Sequence, residues 1–270
     1  MSKNIHLLAI DCQQDFCNPI TGSLYVQGAG QDMINLANLI NRLSGKIKDI
    51  HATLDSHRVV DISHPVMHIS KDGEHPKPFT VITEEDYLNG VWKCTNPRWQ
   101  SRVLDYIHQL KVKGKYNLTI WPEHCEIAST GHSLQPCISN ALMKWERDNF
   151  ALVDYVVKGS NPMVEAYGAF EAEVVDPTDP STMLNTTLLY CLKEADEILI
   201  AGEALSHCVC VSINQLAFYL GEDSIKKFTL LRDCCSSVQG CEDLGEKFVK
   251  DMSARGMKIV SSVDYCSKEI

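Results

Sequence analysis

Three residues far apart in the chain read as one reactive set: Asp11, Lys158 and Cys208. Cys208 stands in Gly202-Glu-Ala-Leu-Ser-His-Cys-Val209, between an apolar run and a helical pattern. The start of a helix at such a turn supplies partial positive charge and free N–H groups. Both favour a thiolate and can hold an oxyanion. A lysine ammonium alongside would lower the thiol pKa further. An aspartate would take the proton and later hand it to a leaving amine. That chemistry is cysteine-dependent cleavage of a small amide. On position alone, a buried structural thiol is the commoner fate of a cysteine.

A second set has metal-binding chemistry. Asp55-Ser-His57 and His124, in Trp121-Pro-Glu-His-Cys125, supply one carboxylate and two imidazoles. That is the ligand set of a catalytic divalent ion with open positions for water or substrate. Alone, an Asp-x-His spacing is a weak signal. Asp61 and His64 are further ligand candidates. His68, His75 and His132 read as structural or solvent-facing.

These residues need a scaffold that delivers them to one place. Short apolar runs alternate with helical spacing. The strand candidates are Ile5 to Ile10, Ile50 to Leu54, Asn117 to Trp121, Ala151 to Val157, Glu197 to Ala201 and Lys227 to Leu231, with a weak last run, Lys258 to Ser261. Between them, helices are expected over Met33 to Leu43, Val103 to Leu110, Gln135 to Trp145, Met183 to Leu192, Cys208 to Leu220 and Glu242 to Ala254. Continuous apolar strands alternating with helices predict an α/β, Rossmann-like doubly wound domain, a mainly parallel six-stranded sheet with helices on both faces. A TIM barrel would need about eight strands. In open α/β sheets, ligands bind beyond the carboxyl ends of the strands. Asp11, Asp55 with His57, His124, Lys158 and Cys208 each follow a strand candidate, so one rim collects them. Arg58 to Pro97, with prolines at 65, 76, 78 and 97, reads as an inserted loop region, functional or mobile.

The chain has 270 residues, 44% hydrophobic and 22% charged, with a formal net charge of −10. That fits one domain spanning residues 1–270 and argues against a nucleic-acid backbone as partner. No run approaches the roughly 18 apolar residues of a membrane span, and Ile5 to Ile10 is too short for a signal sequence. Cytoplasmic residence is the expectation. The 12 cysteines are scattered without zinc-finger spacing, and most read as free thiols packed as small hydrophobes.

At these residues the sequence resembles the nicotinamidase/isochorismatase-like cysteine hydrolases over nearly the whole chain. Leu7-Leu-Ala-Ile-Asp-Cys-Gln-Gln-Asp-Phe16 is similar to the family's opening strand, Thr53-Leu-Asp-Ser-His57 and Trp121-Pro-Glu-His-Cys125 to the metal motifs of its nicotinamidase branch. Val157-Lys-Gly159 resembles the catalytic-lysine segment, Tyr167-Gly-Ala-Phe170 the substrate-side segment, and Gly202 to Val209 the nucleophile turn. The resemblance implies an Asp11–Lys158–Cys208 triad and a metal, zinc first with iron or manganese as alternatives, on Asp55, His57 and His124. It implies a cis peptide at Glu203-Ala204, with the Ala204 and Cys208 N–H groups as oxyanion hole. It also implies a small amide substrate, nicotinamide foremost, and a homo-oligomer.

Phe16, Trp121, Tyr167 and Phe170 are expected to wall the substrate pocket, with Gln14 and Trp92 as further candidates. The turn departs from the family pattern at Leu205-Ser206, a third near-loop histidine is not in its usual place, and the 58–97 insertion is long. A carbamoyl, ureido or other amide substrate, or a binding protein on the same scaffold, are the competing readings.

Overall fold

The computed structural model describes residues 3–265. Six strands form the central sheet: β1 Ile5–Ile10, β2 Ile47–Asp55, β3 Asp154–Lys158, β4 Glu197–Gly202, β5 Phe228–Leu231 and β6 Lys258–Val260. Their order is β6-β5-β4-β1-β2-β3, and every pairing is parallel. All residues of β1 and β4 are buried, as central, largely apolar strands covered on both faces must be. The main helices are α1 Ala29–Arg42, α2 Gln100–Val112, α3 Pro136–Asn149, α4 Thr186–Lys193, α5 Cys210–Leu220 and α6 Glu242–Ala254. The expected Rossmann-like doubly wound α/β class is what the structure has. Among the described residues no helix is long and apolar enough to cross a membrane.

The chain enters the sheet at β1, builds outward to β2 and β3, then returns to the other side of β1 with β4. Strand order therefore reverses between β1 and β4, where a crevice opens in doubly wound sheets. Asp11 leaves one of these strands and the Cys208 turn leaves the other. The junction demands Gly202: a Cβ there would lie 1.9 Å from the Ile10 carbonyl oxygen, and its φ is +116°.

One expected strand is misplaced. Of Asn117 to Trp121, only Leu118–Thr119 forms a strand, and it pairs antiparallel with Val81–Ile82 outside the main sheet. The sixth place belongs to the weak run Lys258–Val260 beside β5. The cause lies in the 58–97 span, which is not an irregular loop. It contains the antiparallel pair His68–Ser70 with Trp92–Cys94, and a short helix, Glu84–Leu88, opened by a Thr83/Asp86 capping box. With α2 these pieces enclose a second apolar cluster that includes Ile62, Met67, Tyr87, Tyr106, Ile107, Leu118 and Ile120. Leu118 and Ile120 are buried there, so the segment leading to His124 is tied to this cluster rather than to the sheet.

Candidate active site

Each functional side chain is fixed by the backbone that carries it. Asp11 follows β1 in the left-handed region, φ 45°, which Asp tolerates better than most residues. Its N–H donates to Thr53 Oγ1 at 2.9 Å, and that hydroxyl donates to Asp11 Oδ1 at 2.5 Å. On the next strand, the Gln13 amide takes both backbone groups of Asp55, N–H and C=O, at 2.8 Å each. Beyond it, the chain after His124 pairs with His57: His57 N–H donates to Cys125 O, and Ile127 N–H to His57 O, both at 3.0 Å. Asp15 secures this loop by accepting from Cys125 N–H at 2.7 Å.

Asp11, Lys158 and Cys208 are brought together, all buried. Lys158 Nζ lies 2.9 Å from Asp11 Oδ2, 3.0 Å from Asp55 Oδ1, 2.9 Å from the Ala166 carbonyl and 3.7 Å from Cys208 Sγ. Burial works against its charge, yet Asp11, Asp55 and Cys208 outweigh that and hold its pKa well above the ordinary value. Burial, aided by Asp55, raises Asp11 above the usual carboxylate range against the pull of Lys158 and Thr53. Burial also pushes the Cys208 thiol up, with Lys158 opposing. Both shifts favour the protonated forms, a thiol on Cys208 and a carboxyl of raised proton affinity on Asp11 in the same cluster.

Cys208 is not at the first turn of a regular helix as expected. Leu205–Val209 forms a wider π-type turn, and α5 begins at Cys210. The peptide Glu203-Ala204 is cis. The turn's backbone bonds run from Leu205 N–H to Ser236 O and from His207 and Val209 N–H to Ala204 O; among the described residues Ala204 N–H takes part in none.

Asp55, His57 and His124 also converge. One ligand atom from each lies within 4.8 Å of the others, and among the described residues no other group of three such ligands does so. The inward atoms are Asp55 Oδ2, His57 Nε2 at 3.1 Å from it and His124 Nε2 at 3.5 Å. Two outward atoms are hydrogen-bonded, Asp55 Oδ1 to Lys158 and His124 Nδ1 to the Pro122 carbonyl at 2.8 Å, and His57 Nδ1 faces Asp61 Oδ2 at 3.2 Å. Outer partners of this kind orient the ligands of metal sites, so the donor set fits a divalent ion. Asp61 and His64 stand behind the set rather than in it; His64 Nε2 faces His124 Nδ1 at 3.4 Å. Burial penalises charge on Asp55, but His57 and Lys158 hold its carboxyl well below the usual range. Burial works the other way on His57, and Asp55 and Asp61 overcome it to keep the imidazole protonated well above its usual pKa. A bound cation would replace that proton.

Both sets border one pocket, lined among others by Phe16, Trp121, Tyr167, His207, Ala204 and Cys208. Trp121 Nε1 donates to Tyr167 OH at 3.0 Å, locking two walls. Phe170 is not in the lining: it is fully buried in the main core, its N–H on Gln215 Oε1 at 3.2 Å. Trp92 belongs to the second cluster, and Gln14 lies outside the lining. Sequence reasoning missed Glu165, His207 and Gln13. His207 stands edge-on to Trp121, ring centroids 5.2 Å apart, and burial lowers its pKa to about 4. Glu165 is buried against the pocket with Oε2 lacking any donor. A carboxyl two residues before Tyr167 in an apolar segment was the available signal for it.

No family model matches the chain. It is similar to the nicotinamidase of Escherichia coli (strain K12), 26% identical over 263 residues, which covers 96% of this chain and 95% of that protein. Among solved structures, the Acinetobacter baumannii nicotinamidase/pyrazinamidase superposes with a TM-score of 0.62 at 20% identity, covering 98% of this chain and 99% of that one. The chain has the nicotinamidase fold. A second structure with this fold, the pyrazinamidase of Pyrococcus horikoshii in complex with zinc, gives 0.54 at 20% identity over 96% and 99%. Within the nicotinamidase fold, the second apolar cluster and the long 58–97 span are what carry His124 to the rim of this chain.

Proposed function

We propose that this chain is a nicotinamidase-like amidohydrolase that converts nicotinamide to nicotinate and ammonia through a thioester on Cys208. The observation that carries the reading is Lys158: one ammonium touches Asp11, Asp55 and Cys208 at once. Nucleophile, acid–base group and metal ligand thus share one pocket with aromatic walls. The E. coli relative, a nicotinamidase by name, points to the same substrate.

Asp11 takes the thiol proton, and the Cys208 sulfur attacks the carboxamide carbon. The oxyanion is received by the Ala204 and Cys208 N–H groups. Asp11 then protonates the amine, ammonia departs, and a thioester remains. Water attacks the thioester, Asp11 accepts its proton, and the proton returns to sulfur as the acid leaves. Lys158 stays an ammonium throughout and keeps Asp11 aimed at the sulfur. Asp55, His57 and His124 would hold a divalent ion, zinc in the first instance with iron or manganese as alternatives. When bound, that ion supplies a Lewis-acid anchor for the pyridine nitrogen and for water. Phe16, Trp121, Tyr167 and His207 orient the flat ring and exclude bulk water. The described cysteines are all free, which supports a reducing, cytoplasmic setting.

The test is ammonia release from nicotinamide, pyrazinamide and aliphatic amides, with and without chelator. Nicotinamide should be the best substrate, and Cys208→Ala should lose turnover by at least about 10³-fold. Full turnover by Cys208→Ala would overturn the reading.

A further inference from the structure

Glu203 is a carboxyl directly after the fully buried strand β4, itself wholly buried, one residue before Ala204. A buried carboxyl needs donors. Ser236 N–H donates to Glu203 Oε2 at 3.1 Å, while Ser236 Oγ donates to Asp32 Oδ2 at 2.5 Å. The donors of Ser236 are then spent, and Glu203 Oε1 has none. Two buried carboxyls meeting on one residue disfavour double ionisation, and a proton kept on Glu203 would give its orphan oxygen a hydrogen to donate.

The same strap of chain holds the nucleophile turn at three places, Glu203, Leu205 and Ser206. Besides the bond to Glu203, Leu205 N–H donates to Ser236 O at 2.7 Å, and Val238 N–H to Ser206 Oγ at 3.1 Å. Ser206 Oγ in turn reaches His207 Nδ1 at 2.9 Å. The strap thus braces the turn that carries Ala204 and Cys208, Val238 itself reaches the pocket lining, and Asp32 on α1 is the strap's far anchor.

We propose that Glu203 is a positioning residue for Cys208: as a neutral acid bridging Asp32 and Ser236, it clamps the 236–238 strap onto the nucleophile turn. Its role in turnover rests on the amidohydrolase reading; its role in placing the thiol does not. Burial and Asp32 both raise the Glu203 pKa well above the usual range. The groups acting on the pair are Arg232 and Asp233 after β5, together with the thiols of Cys12, Cys17, Cys234 and Cys235. The Ser236 hydrogen bonds and then Arg232 oppose the shared proton, and burial outweighs them.

Glu203→Gln reproduces the neutral acid, its amide N–H donating to Asp32 and its oxygen accepting from Ser236. Glu203→Leu keeps bulk and removes both bonds. We expect Glu203→Gln to keep kcat and the rate of Cys208 alkylation by iodoacetamide within about twofold of wild type at neutral pH, and Glu203→Leu to lose about tenfold in both with KM little changed. At alkaline pH, wild type should lose activity that Glu203→Gln retains. Peptide mapping isolates Cys208 from the other thiols, and alkylation needs no substrate, so an inactive wild type would sink the amidase reading and leave this one testable. The inference is overturned if Glu203→Gln is as impaired as Glu203→Leu, or if Glu203→Leu loses melting temperature alone. Should Glu203→Leu not fold, the pH comparison between wild type and Glu203→Gln decides.

Discussion

At the carboxyl rim of the sheet, His57 and His124 turn their Nε2 atoms to a point beside Asp55 Oδ2, 3.1 and 3.5 Å away. Nearer the opposite edge, His6 and His51 are just as buried and also have carboxylates beside them. There, His6 Nδ1 meets His51 Nε2 at 3.1 Å, and the outer nitrogens face Asp49 at 3.3 Å and Asp154 at 2.9 Å. The difference lies in which ring nitrogen is already occupied. At the rim, Asp61 and the Pro122 carbonyl stand behind the rings, so the remaining nitrogens converge on the pocket. At the other edge the carboxylates, 47% and 49% exposed, cap the ends of a chain whose inner nitrogens satisfy each other. Burial and residue type are shared; convergence of three donor atoms on one point is not, and that is what a metal needs.

The sharpest way to break this contrast is to remove a converging ligand. Asp55→Asn or His57→Asn should abolish stoichiometric metal and cut turnover by at least on the order of 10²-fold, whereas His51→Asn should leave both within about twofold. Elemental analysis and ammonia release measure the two effects. Equal losses in both regions would erase the distinction.

A second effect is smaller and has a sign. His57 is held protonated above its ordinary pKa by Asp55 and Asp61, while Asp55 stays ionised. Metal binding must then displace one proton, so affinity should strengthen as pH rises, by about tenfold per unit until the folded pKa of His57 is passed. Competition against a chromophoric chelator between pH 5 and 8 reads the slope. A flat profile would mean that His57 is already neutral and that Asp61 does not act through it. Asp61→Asn then sharpens the point: it should weaken metal binding by about tenfold and flatten part of that slope, because only the support behind His57 is lost.

The contrast also marks how far the residues could be read before folding. Strand ends are local events, so Asp11, Asp55 with His57, Lys158 and Cys208 were legible as a rim wherever an apolar run stopped at a polar residue. His124 was assigned to that rim for the wrong reason. Its preceding strand pairs with Val81–Ile82, and its place depends on a second apolar cluster formed by segments far apart in the chain. Lys258–Val260 is short and only partly buried, so its apolar pattern was faint until β5 supplied its partner. Phe170 looked like a pocket wall because it follows Tyr167, but the ring turns into the core. Glu203 and Glu165 were invisible as functional groups, because one sequence does not tell a buried carboxyl from a solvated one.

The smallest effect belongs to the closed histidine chain. His51 bonds His6 on β1 and Asp154 on β3, so it ties three neighbouring strands below the rim. His51→Asn cannot span both partners. It leaves the buried His6 nitrogen without its bond and should cost about 1–3 kcal/mol of stability, a fall in Tm of several degrees for a chain of this size. Turnover at 25 °C should be unchanged, since none of these side chains lines the pocket. A melting curve and an activity assay on the same sample separate the outcomes. A fall in Tm with intact turnover fits a structural tie. A loss of turnover without a fall in Tm would mean that the two ends of β2 are coupled, and the histidine pairs could no longer be treated as independent.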